Sequence, residues 1–564
     1  MSRIATLTGS LARAGCGDPA AAAAFLQSWE PVLGGDAARV ERLVKAMSGS
    51  ADPDLALAGF DRLASSVPDA FAALADDEAW GVRTARVLGA SAAFGRHLSA
   101  HPGDVEVLRD DVSERDEAAL RAELLDAVGS DPSVVEAVAS GTPDDLRLAY
   151  RRALLRTAAR DLTAPEPADA VESVARELSA LADAVVEAGL ALARAEVPGW
   201  ETVRLAVIAL GKCGARELNY VSDVDVLYIA EPALGVAGEP VVSASEAVAL
   251  ASKIVASLSR TTSAHSAAGT IWPLDAALRP EGKAGPLVRT LASMRAYYER
   301  WAKDWEFQAM LKARPMAGDL HLAQDFVDMV WPLVWQVGGH DDFVPAVQAM
   351  RKRVISLIPA KEADAEIKLG AGGLRDTEFS VQLLQLVHGR SDARLRLRGT
   401  FEGLAALVQH GYVGREDGAR LDAAYRFQRV LEHRVQLSQL RRTHLFPADA
   451  ETRRTLARSL RLPDGDAVAD AYQASKRRVL SLHQRLFYSP LLEAVARIPS
   501  GAVRLTSEAA EARLLALGYR DPKAALRHIE SLTQGVTRQA EIQRQLLPAM
   551  LGWFAEGPNP DHGL

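Results

Sequence analysis

The sequence predicts a mostly α protein with one α/β unit inserted in it and a helical domain on each side. Three observations lead there. Apolar residues recur at three- and four-residue spacing through most of the chain, as at Leu146, Ala149, Tyr150, Ala153 and Leu154. Short apolar, β-branched runs occur only between residues 199 and 290. With 564 residues, 48% of them hydrophobic and 24% charged, the chain can bury several cores and is not a disordered one.

Composition also excludes some functions. Acidic residues outnumber basic ones, 73 to 65, so no broad face for a nucleic-acid backbone is expected. Cys16 and Cys213 are the only cysteines and sit far apart, which excludes a disulfide scaffold and a Cys-based zinc site. No apolar run reaches the ~18 residues of a membrane span, and the opening segment lacks a signal-peptide layout. A soluble cytoplasmic protein is expected.

Residues 1–195 read as a helical domain. Breakers at Gly34-Gly35, Asp52-Pro53, His101-Pro102, Asp131-Pro132 and Pro165-Glu166-Pro167 separate its segments. Residues 196–335 read as the α/β domain with its following helix. Its first strand is Val203 to Leu210, its second Val224 to Glu231, and its third lies within Gly269 to Pro280. A helix covers Ser245 to Arg260. Met294, Tyr297, Tyr298, Trp301 and Trp305 then continue as an apolar stripe. Residues 336–500 read as a second helical bundle. Residues 501–564 read as a helical linker ending at Gly557-Pro558-Asn559-Pro560.

The chemistry concentrates between the first two strands, in Gly211-Lys212-Cys213-Gly214 and Ser222-Asp223-Val224-Asp225. Residues two apart on a strand share a face, so Asp223 and Asp225 present paired carboxylates. Hard oxygens at that spacing suit Mg²⁺. Asp275, on the third strand, is placed to complete a two-metal site for phosphoryl chemistry. Glycines at 211 and 214 let backbone amides approach phosphate, and Lys212 and Arg279 supply positive charge. An isolated Asp-x-Asp is usually a turn or a solvated edge. Glycine-rich turn, paired carboxylates and a third acidic strand together resemble a nucleotidyltransferase fold of polymerase-β type.

A closer resemblance rests on two signatures. G-K-x-G-x-x-E-L-N-Y-x-S-D-x-D, from Gly211 to Asp225, and Lys368-Leu-Gly-Ala-Gly-Gly-Leu-Arg375-Asp376-Thr-Glu378-Phe379 are similar to those of the glutamine synthetase adenylyltransferase/adenylyl-removing enzymes. Weaker matches run from Leu88 to Pro102, from Trp305 to Asp319, and through Arg429, Glu432, Gln436, Thr443 and His444. The family enzyme joins two similar halves, one removing AMP from a tyrosine of glutamine synthetase by phosphorolysis and the other adding it from ATP. One copy of each signature, and a C-terminal segment similar to the linker after the first half, read as the N-terminal, adenylyl-removing half.

The resemblance implies two Mg²⁺ at Asp223, Asp225 and Asp275, and a nucleotide or phosphate site at Gly211, Lys212, Gly214 and Ser222. It implies supporting roles for Glu217, Asn219, Lys368, Arg375, Asp376 and Glu378. Glutamine synthetase, a PII-type signalling protein, and phosphate or ADP are the implied partners. The family often carries an arginine where this chain has Ala277, so Arg279 inherits more of the phosphate expectation.

Other features divide between two readings. Lys368 to Gly373 lacks a Walker ending and reads as a tight turn into a helix, with Arg375 and Glu378 as an ion pair or as a cap on the cleft. Arg429, Glu432 and Gln436 share a helical face, either solvated or functional. Lys312 and Arg314 are either surface charges or phosphate contacts. His97 and His101 lack the partners of a metal site. Cys213 reads as a small buried filler, and the tryptophans as core. Two rival functions remain: forward adenylylation or uridylylation on the same scaffold, and a regulatory module that binds without turnover.

Overall fold

The computed structural model describes residues 3–340, 342–488, 514 and 519–533. Most of the linker expected at 501–564 lies outside the described residues; its helix Pro522–Thr533 lies within them. Helices precede and follow one small mixed sheet. Several N-terminal breakers are helix starts. Asp18, Asp36, Asp52, Asp77 and Ser91 accept from first-turn amides that have no partner inside their helices. Pro53 and Pro167 occupy first-turn positions, where a missing N–H costs nothing.

The 30-residue helix Pro167–Glu196 is the spine. It packs on helices Glu117–Ala127, Pro143–Thr163, Ala244–Ser263 and Arg415–Gln439 and on the sheet. Small residues permit this close approach: a Cβ at Gly189 would lie 2.6 Å from Leu258.

The strands are β1 (Val203–Ala209), β2 (Val224–Pro232), β3 (Leu274–Asp275), β4 (Val288–Arg289) and β5 (Arg314–Gly318). Their order is β3-β2-β1-β5, with β4 also on β2. β1 is antiparallel to β2 and β5, whereas β3 and β4 run parallel to β2. Leu205, Val207, Val226 and Tyr228 join the core of the N-terminal helices. Ala206, Ile208, Leu227 and Ile229 join a second core with helices Leu320–Val334 and Leu374–His388. Burial on both faces explains why these strands read as unbroken apolar runs.

Two expectations are corrected and one strand is added. The third strand shrinks to two residues, because Asp275 Oδ1 accepts the Ala277 amide at 2.8 Å and turns the chain away. The aromatic stripe breaks: its helix ends at Arg300, leaving Trp301 73% and Trp305 42% exposed, so these tryptophans are not core. β5 was not expected at all; as an edge strand it tolerates Pro315.

Candidate active site

β1 runs into a four-residue helical turn, Gly211–Gly214, and the chain returns through residues 215–223 to β2. Two contacts clamp this turn. Gly211 has φ +55, and a Cβ there would lie 2.1 Å from Asp225 Oδ2. A Cβ at Gly214 would lie 2.0 Å from the Lys312 carbonyl oxygen. Only glycine fits either position.

Asp225 and Asp275 are register partners on the parallel pair β2 and β3. Burial, reinforced by the facing Asp275, pushes the Asp225 carboxyl up to about 6, against the pull of Lys368. Two such carboxylates are a donor set suited to a hard divalent cation. Asp223, directly before β2, instead forms an ion pair with Arg442. As arranged, no three His, Cys, Asp or Glu side chains converge on one metal position among the described residues. The expected three-carboxylate group is therefore open at Asp223, because Arg442 holds that carboxylate.

Beside the pair lies a cleft of about 270 Å³, lined by Gly211, Lys212, Ser222, Asp225, Lys312, Lys368, Arg375 and Glu378 among others. Lys212 Nζ bonds Glu378 Oε1 at 2.5 Å, and Arg375 reaches its other oxygen at 3.2 Å. Burial alone would raise the Glu378 carboxyl, but Lys212, Arg375 and Lys312 hold it well below the usual range. Burial, then Lys212, pushes Lys368 down to about 8. Burial also lowers Lys312. The buried carboxylates Glu432 and Glu217 also act on Lys368 and Lys312. Four cations thus line the cleft, a donor set that suits phosphate.

Other expected residues stand outside this cleft. Arg279 donates to the carbonyls of Ala276, Lys283 and Gly285 and braces its own loop. Arg314 forms a two-pronged pair with Asp183 at 2.7 and 3.0 Å, behind the turn. Glu217 caps helix Thr400–Gln409 by accepting from Thr400 and Phe401 amides. Asp376 pairs with the buried Arg351 at 2.6 Å. Asn219 is buried, and neither atom of its amide has a partner among the described residues. His97 belongs to a pair with Asp104, and Cys213 is a buried free thiol pushed up by burial.

Arg429, Glu432 and Gln436 are fully buried, which overturns the solvated reading. Arg429 donates to the Glu217 carbonyl at 2.8 Å, and Gln436 accepts the Val221 amide at 3.0 Å. Helix Arg415–Gln439 thereby supports the segment leading to Asp223. Sequence reasoning did not single out Arg442 or Gln308 at the site. Gln308 shares a helix face with Trp305, whereas Arg442 follows the end of helix Arg415–Gln439 and carries no spacing signal.

Two family models match the chain. Glutamate-ammonia ligase adenylyltransferase matches residues 82–329, and GlnD PII-uridylyltransferase matches residues 348–487. Proteins called bifunctional glutamine synthetase adenylyltransferase/adenylyl-removing enzyme are close relatives. The one from Cutibacterium acnes is 52% identical across 100% of this chain and 57% of its own length. That from Streptomyces coelicolor is 50% identical over 93% of this chain and 52% of its own. That from Mycolicibacterium smegmatis is 45% identical over 98% and 55%. The whole chain is thus similar to a part of these glutamine synthetase adenylyltransferase/adenylyl-removing enzymes. It spans about half the length of the relatives it matches. The two family signatures, one within each model match, meet at a single cleft through Lys212, Glu378 and Lys368. Among the described residues, no helix is long and apolar enough to cross a membrane.

Proposed function

We propose that this chain removes AMP from the adenylylated tyrosine of glutamine synthetase by phosphorolysis, releasing ADP. The observation that carries a phosphoryl-transfer reading is the cation group Lys212, Lys312, Lys368 and Arg375, which lines one cleft together with Asp225, the register partner of Asp275. The direction rests on the resemblance to the adenylyl-removing half.

In this reading, an oxygen of inorganic phosphate attacks the adenylyl phosphorus. The new P–O bond forms as the bond to the tyrosine oxygen breaks, and the proton given up by hydrogen phosphate ends on that oxygen and regenerates the tyrosine hydroxyl. Phosphate is already an anion, so no strong general base is needed. Lys212, Lys368 and Arg375 offset its charge and align it for in-line attack, while Glu378 fixes Lys212 in place. Asp225 and Asp275, with Asp223 if released from Arg442, would hold magnesium, in the family's manner two ions. Such ions stabilise charge on the attacking and leaving oxygens. Regulation by a PII-type protein is part of the proposal and draws on the match over residues 348–487.

The test is incubation with adenylylated glutamine synthetase, Mg²⁺ and phosphate, following ADP. Phosphate-dependent ADP with loss of AMP from the tyrosine supports the reading. AMP transfer from ATP onto unmodified enzyme would reverse the direction. Neither reaction would leave a binding module.

A further inference from the structure

Two helices form long walls of the cleft, and each turns one face into it at i, i+3, i+4 and i+7. Helix Asp304–Met310 and the turn after it contribute Trp305, Gln308, Ala309 and Lys312. Helix Leu374–His388 contributes Arg375, Glu378, Phe379 and Gln382. Gln308 Nε2 donates to Gln382 Oε1 at 3.0 Å, while Lys312 lies in the fields of Glu378 and Lys212. The first wall therefore runs from charge at Lys312 to amide at Gln308 to aromatic at Trp305, and the second sets Gln382 against the amide. Trp305 stands about two turns, roughly 10 Å, along its wall from Lys312. A nucleotide has the same order of chemistry: phosphates, then sugar, then a flat base with hydrogen-bonding edges.

Two details at the uncharged end point to a ligand. Gln308 is only 5% exposed, yet its Oε1 has no partner. A buried acceptor without a donor is costly, and a bound N–H would remove that cost. Trp305 lines the same cavity with part of its indole uncovered, so a ring system can stack on it.

We propose that Trp305, Gln308 and Gln382 form a purine-base subsite, with adenine stacked on Trp305 and its exocyclic amino group donated to Gln308 Oε1. The subsite rests on reading the cleft as a nucleotide-transfer site. It sets specificity for the transferred nucleotide, whereas the cations hold its phosphates. The 6-oxo group of guanine would face the same oxygen, and a pyrimidine would cover less of the indole.

Equilibrium binding of ADP, GDP, CDP and pyrophosphate to the full chain with Mg²⁺ tests this. ADP should bind most tightly and quench indole fluorescence. Trp305→Ala should raise the ADP Kd about ten- to a hundredfold, the usual worth of a base–aromatic stack, and leave pyrophosphate binding unchanged. Trp305→Phe should recover part of the affinity without the quench, and Gln308→Leu should abolish the preference for ADP over GDP. ADP bound equally well by wild type, Trp305→Ala and Gln308→Leu would overturn the subsite while leaving the cleft reading intact. So would a Trp305→Ala defect confined to glutamine synthetase binding, which would make Trp305 a docking residue. If wild type binds neither ADP nor pyrophosphate, the cleft reading falls and the subsite with it.

Discussion

Lys368 shows how burial and like charge prepare a side chain for an anion. Its ammonium is held down to about 8 by desolvation and by Lys212. Phosphate placed beside it would favour the charged form and raise that value. Binding therefore selects the protonated lysine. Affinity should fall as pH rises above about 8, and binding near that pH should take up a proton beyond the phosphate's own titration. Calorimetry in buffers of different ionisation enthalpy counts that proton. Lys368→Arg, charged throughout, should remove both effects. A phosphate affinity that stays flat from about pH 7 to 9 would contradict the assignment of Lys368 to the phosphate site. Asp225 is the complementary case. Asp225→Asn should lower ADP formation by at least ~10³-fold, several kcal/mol of transition-state stabilisation. Near-normal phosphorolysis by that variant would remove Asp225 from the machinery.

At the level of elements, the sequence was most informative where one force dominates. β1 and β2 were legible as apolar runs because both of their faces are covered. The glycine turn was legible because steric approach at Gly211 and Gly214 leaves one residue type. β3 was legible in place but not in length, and β5 not at all, since two-residue and proline-bearing edge strands owe their form to neighbours rather than to their own pattern. The charged face of helix Arg415–Gln439 was ambiguous for a related reason. Its residues look solvated by composition, and only tertiary structure supplies the carbonyls and amides they satisfy. That helix carries its own prediction. Arg429 is buried and bonded to the Glu217 carbonyl, so Arg429→Ala should cost about 3 kcal/mol or more, as removal of a buried charged partner does. Because the lost bond anchors the segment leading to Asp223, kcat should fall further than ADP affinity. Urea denaturation and steady-state kinetics on the same variant separate the two effects. A stability loss with kcat unchanged would make the helix a scaffold alone.

Across the whole molecule, the cleft is assembled from segments far apart in sequence. The turn and β2 come from the sheet and Lys368 through Gln382 from the second helical region, while Arg442, from beyond helix Arg415–Gln439, pairs with Asp223 next to the lining Ser222. Anything bound there ties these regions together and stabilises the folded chain by mass action, about 2.7 kcal/mol at a hundred times Kd. As a magnesium ligand, Asp223 would first have to leave Arg442. Thermal unfolding should therefore show three patterns. Wild type should gain a few degrees with Mg²⁺ and ADP together. Arg442→Gln, with Asp223 released, should gain more from Mg²⁺ alone than wild type does. Asp225→Asn should lose the Mg²⁺ response yet keep the response to phosphate, because Lys212, Lys368 and Arg375 are untouched. An Arg442→Gln chain no more responsive to Mg²⁺ than wild type would mean that Asp223 is not a ligand in waiting. The metal would then rest on Asp225 and Asp275 alone.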